Sequence, residues 1–222
     1  YLIILLISVF WIIKIKTNDD IRQLQDLPKH LKQSEKQIKQ LTKSKLGNKF
    51  YIIQANTSEK VLEKQSKIIN IIKKTNPKIS MPYLSFGDYL PTIKEQKENY
   101  NLVTKLLLNN NLTAYLQKIG MAQTQINNIQ KQLNNIKFKP LTIDTWLNSP
   151  ASKQLKFLWL GKTDNIYTSI VLLSDEITQT QAIDIASNIK QVYFINPAAE
   201  VSQVFSNYRY QVSILLILIY IV

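Results

Sequence analysis

Two runs almost free of charge bracket the chain: YLIILLISVFWIIKI from Tyr1 to Ile15, whose one charge is Lys14, and VSILLILIYIV from Val212 to Val222, which has none. Neither keeps the polar stripe that a water-facing helix needs. Between them the pattern is that of a folded domain. Asp19-Asp20 stand ahead of Ile21, Leu24 and Leu27, and acidic residues favour the positive end of a helix dipole, so a helix is expected to begin there. Pro28 interrupts it. Leu31, Ile38 and Leu41 then mark the buried stripe of a second helix, which Gly47-Asn48 is expected to end.

FYIIQA (Phe50 to Ala55) reads as a strand, and Asn56-Thr57-Ser58 with Glu59 starts a helix directly after it. Val61, Leu62, Ile68, Ile69 and Ile72 keep helical spacing until Asn76-Pro77, and Ile79 to Phe86 reads as an edge strand because Pro82 lacks a ladder donor. A helical insertion follows over about residues 91–139, with Asn109 to Asn111 a candidate loop tip and Gly120 a candidate helix end. LTIDTWL from Leu141 is a short amphipathic turn or helix. KFLWLG and IYTSIVLLS form a hairpin about Lys162 to Asn165, Gln179 to Lys190 supplies a helix, and Gln191 to Ile195 a last strand. With Asn196 as cap and Pro197 at its first position, a final helix runs without Gly or Pro into the terminal apolar run, about 39 Å in all. βαβ, insertion and ββαβ predict an α+β domain of about five strands: a ferredoxin-like mixed sheet with helices on one face.

A helix spanning a bilayer needs about 20 apolar residues, more than either terminal run has, so the chain is expected to be a fragment of a larger membrane protein. Residues 1–16 would end one transmembrane helix, 17–208 form a domain outside the bilayer, and 209–222 start the next helix. The chain carries 28 Lys and Arg against 15 Asp and Glu, a net charge of +13. The positive-inside bias concerns short loops, so this charge does not assign a side. Only Arg22 and Arg209 are Arg, and no cluster of Arg with stacking aromatics or known motif accompanies the Lys, so nucleic acid is not expected as a partner.

The absence of Cys rules out thiolate metal sites and thiol nucleophiles, and His30, the one histidine, sits in a Lys/Gln-rich helix. Gly161-Lys162-Thr163 ends like a phosphate loop, yet the first glycine would fall at Lys156, inside a predicted strand, and a strand follows where a helix is required. Ser187 to Lys190 fits S-x-x-K without its partner motifs. Asp19-Asp20 and Asp175-Glu176 read as caps rather than acid-base pairs or metal ligands. No catalytic, metal or cofactor site is therefore expected. Tyr83, Phe86, Tyr89, Trp146 and Trp159 could line an apolar path, although strand aromatics are most often core. On the final helix, Val201, Val204, Phe205 and Tyr208 repeat at three and four and form a candidate coupling face, with Arg209 at the expected water-membrane boundary.

Four segments in order, NDDIRQLQ from Asn18, YLSFGDYLP from Tyr83, LTIDTWLNSPASKQLKFLWLG from Leu141 and FINPAAEVSQVFSNYR from Phe194, resemble the MMPL-type predicted exporters of the RND transporter superfamily. Phe86-Gly87-Asp88 departs from the apolar-Leu-Ser-Asp expected before the Leu-Pro. The resemblance implies the second extracytoplasmic, porter-like domain of a proton-driven exporter in the bacterial inner membrane, on its periplasmic side. It implies a lipid-like or other apolar cargo, and as partners the remaining transmembrane bundle and the first porter domain of the same polypeptide. The alternative is the ligand-sensing ectodomain of a membrane receptor or histidine kinase, which also stands between two membrane helices.

Overall fold

The computed structural model describes residues 18–21, 28–42, 46–107 and 110–221. The chain divides into two compact units, Lys45–Ile195 and, as the other, Tyr1–Ser44 with Asn196–Val222. The first is α+β, built on a five-stranded antiparallel sheet. β1 (Leu46–Ala55) leads into α2 (Ser58–Thr75), the helix α1 (Lys29–Thr42) belonging to the other unit. β2 (Tyr83–Leu84) is followed by the insertion helices α3 (Ile93–Leu107), α4 (Asn110–Lys118) and α5 (Gln123–Asn135), then by the short α6 (Ile143–Leu147). β3 (Trp159–Thr163), β4 (Ile166–Ser174), α7 (Gln179–Ser187) and β5 (Val192–Ile195) complete the unit.

β1 owes its place to alternation: Tyr51, Ile53 and Ala55 point to one face and are almost wholly buried. α2 starts where the Thr57 hydroxyl accepts the Lys60 N–H at 3.2 Å, and Glu59 in its first turn and Lys73 and Lys74 in its last complement the dipole. Its stripe of Val61, Leu62, Ile68, Ile69 and Ile72 is buried as its spacing predicts. α7 opens with a reciprocal capping box between Thr178 and Gln181. Asp164 and Asn165, both at positive φ, make the two-residue turn of the β3–β4 hairpin.

The strands lie in the order β2-β4-β1-β5, and β3 pairs with β4 beside β2. Every pairing is antiparallel, so the expected mixed sheet is corrected. β1 and β2 do run in one direction, but β4 stands between them. Tyr51 opposite Val171, Ile53 opposite Ser169 and Tyr83 opposite Leu173 fix the face on which α2 and α7 pack. A second core of Phe86, Leu90, Ile143, Trp146, Leu155 and Leu158 packs with Leu84, Ile170 and Leu172.

Several sequence expectations need correction. The strand expected over Ile79 to Phe86 shrinks to Tyr83–Leu84, because Pro82 offers only its carbonyl, which accepts the Ser174 N–H at 2.9 Å, and Phe86–Asp88 turn into a 3₁₀ helix. Gly47-Asn48 do not end a helix but lie in β1, and the Asp175 carboxylate occupies the space a side chain at Gly47 would need. Leu31, Ile38 and Leu41 on α1 are exposed rather than buried. The helix expected to reach Lys190 stops at Ser187, and Gln191 enters β5 at positive φ. Of the candidate loop tip, Asn110 and Asn111 open α4 and Asn109 lies outside the described residues, whereas Gly120, at φ +85, follows the end of α4 as expected. The apolar run of residues 1–16, Leu24 and Leu27 lie outside the described residues.

In the other unit, α8 (Pro197–Ile221) is a single uninterrupted helix. The Asn196 side chain accepts the Ala199 N–H at 3.3 Å, the cap expected ahead of Pro197. Arg209 grips the Asp19 carboxylate with two bonds of 2.8 and 2.7 Å and holds it below the usual carboxylate range, while the helix expected after Asp19-Asp20 runs into residues 22–27, outside the described residues. The Ile21 N–H reaches Ser202 Oγ at 3.2 Å. Val201, Val204, Phe205 and Tyr208 are exposed along α8. No helix among the described residues is long and apolar enough to cross a membrane.

The Tyr51 hydroxyl, buried beneath α7, donates to the Ala182 carbonyl at 3.0 Å, and burial pushes its pKa up. A raised folded-state pKa contributes stability that is complete below the unfolded value, about pH 10, and is lost as pH climbs above it. Tyr51→Phe should cost about 1 kcal/mol at pH 7, the worth of one buried hydrogen bond. In urea melts the gap to wild type should narrow from pH 9 to pH 11, both values bracketing the ordinary tyrosine pKa of about 10; parallel pH profiles would contradict this account of Tyr51.

Candidate functional site

The segment after α2 carries the most chemistry in the sheet-bearing unit. Its last helical turn presents Lys73, Asn76 closes the helix, and Asn76 to Ile79 form a turn with the Ile79 N–H on the Asn76 carbonyl at 3.2 Å. Pro82 and β2 then bring the chain against β4. Ser85 caps the 3₁₀ turn, its hydroxyl accepting the Gly87 N–H at 3.0 Å, and the Tyr89 and Leu90 N–H groups close on the Phe86 carbonyl.

Buried polar contacts fasten this segment from beneath. Gln65 donates to Ser169 Oγ at 2.8 Å and accepts from the Ser85 hydroxyl at 3.1 Å, all three side chains being almost inaccessible to water. α2, β4 and the segment after β2 thus meet in one satisfied network, the arrangement that lets buried polar groups specify a geometry. Gly87 lies directly over it. A Cβ there would stand 2.7 Å from Gln65 Oε1 and 3.3 Å from Ile69 Cδ1, so glycine at this position has a steric reason.

Above this floor opens a cleft of about 350 Å³, within the size range of small-ligand sites. Pro77, Ile79, Met81, Pro82, Tyr83 and Tyr89 give it apolar walls, and Lys73 and Asp88 line it as the charged pair. Lys73 Nζ lies 3.1 Å from Asp88 Oδ1, to which the Tyr83 hydroxyl also donates at 3.0 Å. The same ammonium stands 5.7 Å from the centre of the Tyr83 ring. The Tyr83 hydroxyl and then Asp88 raise the pKa of Lys73, while burial raises that of Tyr83. A second cleft of about 310 Å³ shares Lys73 and Asp88 and adds Ser66, Asn70, Glu95 and Glu98. Burial pushes the Glu95 carboxyl up, but bonds from Ser66 and Thr92 outweigh it and hold the group below its ordinary value.

The candidate path aromatics separate. Tyr83 walls the cleft and Tyr89 stands at it 64% exposed, whereas Phe86 is wholly buried, 5.4 Å from Trp146 and 5.8 Å from Trp159 between ring centres. Gly161-Lys162-Thr163 lies in β3, with Gly161 at positive φ beside a register shift, and Lys156 opens a 3₁₀ turn rather than lying in a strand. Ser187 donates to the Asp184 carbonyl at 2.8 Å, and His30 lies exposed on α1. Asp175 and Glu176 precede the true cap, Thr178, and so do not cap α7. No group of three or more His, Cys, Asp or Glu able to hold a metal occurs among the described residues. What the geometry offers is an apolar surface beside an exposed ion pair. Lys73, Asp88 and the Gln65 network were not singled out from the sequence, although Gln65 interrupts an otherwise apolar stripe and so carried a signal.

Set against family models, curated proteins and solved structures, the chain matches none.

If the Gln65 network positions the cleft, Gly87→Ala should lose about 1–3 kcal/mol through overpacking. The loss, read by urea unfolding, should be accompanied by altered near-ultraviolet dichroism of the aromatic cluster. A variant as stable as wild type would show that the floor of the cleft yields freely.

Proposed function

We propose that the chain is the second extracytoplasmic, porter-type domain of a proton-driven exporter of the MMPL type in the RND superfamily. In this reading residues 17–208 face the periplasm of a bacterium, flanked by ends of transmembrane helices in the inner membrane. The domain forms part of the path of a lipid-like or other apolar cargo. It works with the transmembrane bundle and the first porter domain of the same polypeptide, needs no cofactor and is not an enzyme.

The observation that carries the reading is where two of the family-like segments meet. Phe86, from YLSFGDYLP, packs on Trp146 and Trp159, both from LTIDTWLNSPASKQLKFLWLG, although 60 and 73 positions separate them in sequence, and Tyr83 and Tyr89 of the first segment border the cleft. The strand order, with α2 and α7 on one face and β1 and β2 split by β4, supports the ferredoxin-like form of the α+β fold. The unbroken α8, passing from Pro197 into an uncharged run, supports its role as the coupling helix.

The chain lacks Cys, so Tyr89→Cys in the full-length polypeptide supplies a single reporter within this segment. An impermeant maleimide should label it in intact spheroplasts, and cells should expel a fluorescent lipid-like dye. Asn207→Pro removes a helical hydrogen bond within α8, at a cost of about 3 kcal/mol or more. Export should fall sharply while the domain stays protease-resistant. Labelling only after lysis would refute the periplasmic side. Wild-type export from a kinked α8 would reduce that helix to a tether, and dye retention unaffected by loss of the whole polypeptide would favour the sensor reading.

A further inference from the structure

The cleft already holds an ammonium. Lys73 Nζ, carried on an arm whose side chain is 57% exposed, sits against Asp88 Oδ1 and over the Tyr83 ring, so an anion and an aromatic face converge where a cation is seated. The Tyr83 hydroxyl, donating to the same carboxylate oxygen, keeps Asp88 in place whether or not the lysine is there. An exposed ion pair of this kind contributes little stability, so its lysine is displaced at small cost.

Beside this seat lies exposed apolar surface. Tyr89 is 64% and Met81 40% exposed, and with Pro77 they line the same cleft. The charges also point one way. In a chain of net charge +13, the two clefts that share the ion pair are lined by one cation, Lys73, against three anions, Asp88, Glu95 and Glu98. Glu95 is committed to Ser66 and Thr92, so it contributes field rather than a ligand. An anionic head group would have to take Lys73 from Asp88 and then sit among carboxylates, whereas a cationic one replaces the lysine like for like.

We propose that the cleft binds an amphiphile with a cationic amine head, whose ammonium takes the place of Lys73 on Asp88 while its apolar body lies on Pro77, Met81 and Tyr89. Lys73 is then an internal plug that the ligand displaces. The inference rests on reading the cleft as a point on an exporter's path, and it narrows the cargo from apolar molecules to cationic amphiphiles.

The two methionines, Met81 in the cleft and Met121 between α4 and α5, make a built-in probe and control. With methyl-labelled methionine in the full chain in a non-ionic detergent, 4-phenylbutylammonium should shift the Met81 signal saturably and leave Met121 unmoved. 4-Phenylbutyrate, with the same apolar body and the opposite charge, should not shift Met81. Lys73→Gln should tighten the amine about threefold, the worth of one exposed ion pair. Asp88→Asn should weaken it about tenfold, the worth of one charge-assisted bond, with an unmoved Met121 signal showing that the fold is kept. Saturable binding of the butyrate at Met81, weaker amine binding in Lys73→Gln, or no amine-induced shift at Met81 would each overturn the proposal. None of these results bears on dye export, so the exporter reading stands or falls separately.

Discussion

The position of β4 between β1 and β2 is the constraint from which the rest of the sheet-bearing unit follows. β4 pairs with β1 along one edge and with both β2 and β3 along the other, so every strand but β5 is joined to it directly. Its alternation serves two cores at once. Ser169, Val171 and Leu173 face α2 and α7, while Ile170 and Leu172 face the cluster around Phe86 and Trp146. That double duty is why IYTSIVLLS reads as a near-continuous apolar run rather than as an alternating one. It also explains how β2 can be two residues long: Tyr83 and Leu84 are held by pairing, by the Ser174 to Pro82 bond and by the Gln65 network rather than by a ladder of their own.

The cleft is a product of that shortness. Had Ile79 to Phe86 run on as a strand, its apolar side chains would have been spent on the sheet. Instead Pro82 limits the pairing, the chain turns at Ser85, and Met81 and Tyr89 are left outside beside Lys73 and Asp88. Rigid elements beneath and a bare apolar surface above are what a binding site on a small domain requires. The insertion contrasts with this: α3 has no buried residue, and Leu116 and Ile126 are the buried apolar side chains of α4 and α5.

Much of this was legible in the sequence where local signals and burial agree. The α2 stripe, the Asn196-Pro197 start of α8, the hairpin turn and the glycine at the end of α4 were read correctly because each is decided within a few residues. Errors arose where tertiary context overrides local sense. Gly47-Asn48 looks like a helix stop, but in β1 the glycine makes room for Asp175, more than a hundred positions away. Leu31, Ile38 and Leu41 have the spacing of a buried face, yet spacing alone does not supply something to cover it, and Leu41 is 85% exposed. The grip of Arg209 on Asp19 spans 190 positions and leaves no mark on the residues near either. For the candidate site, Tyr83 and Tyr89 were legible as aromatics. The ion pair was not, because Lys73 resembles any other lysine on a helix surface until the turn at Asn76 brings Asp88 back to it.

The cleft depends on a preformed segment from Tyr83 to Leu90, locked to β4 as firmly as β1 is. Amide hydrogen exchange of the full chain tests it most directly. The Gly87, Tyr89 and Leu90 amides should exchange as slowly as those of Tyr51, Ile53 and Val171, all far more slowly than those of α3. If residues 83–90 instead exchange as fast as α3, the segment opens independently of the sheet, and the cleft is not a standing feature of the molecule.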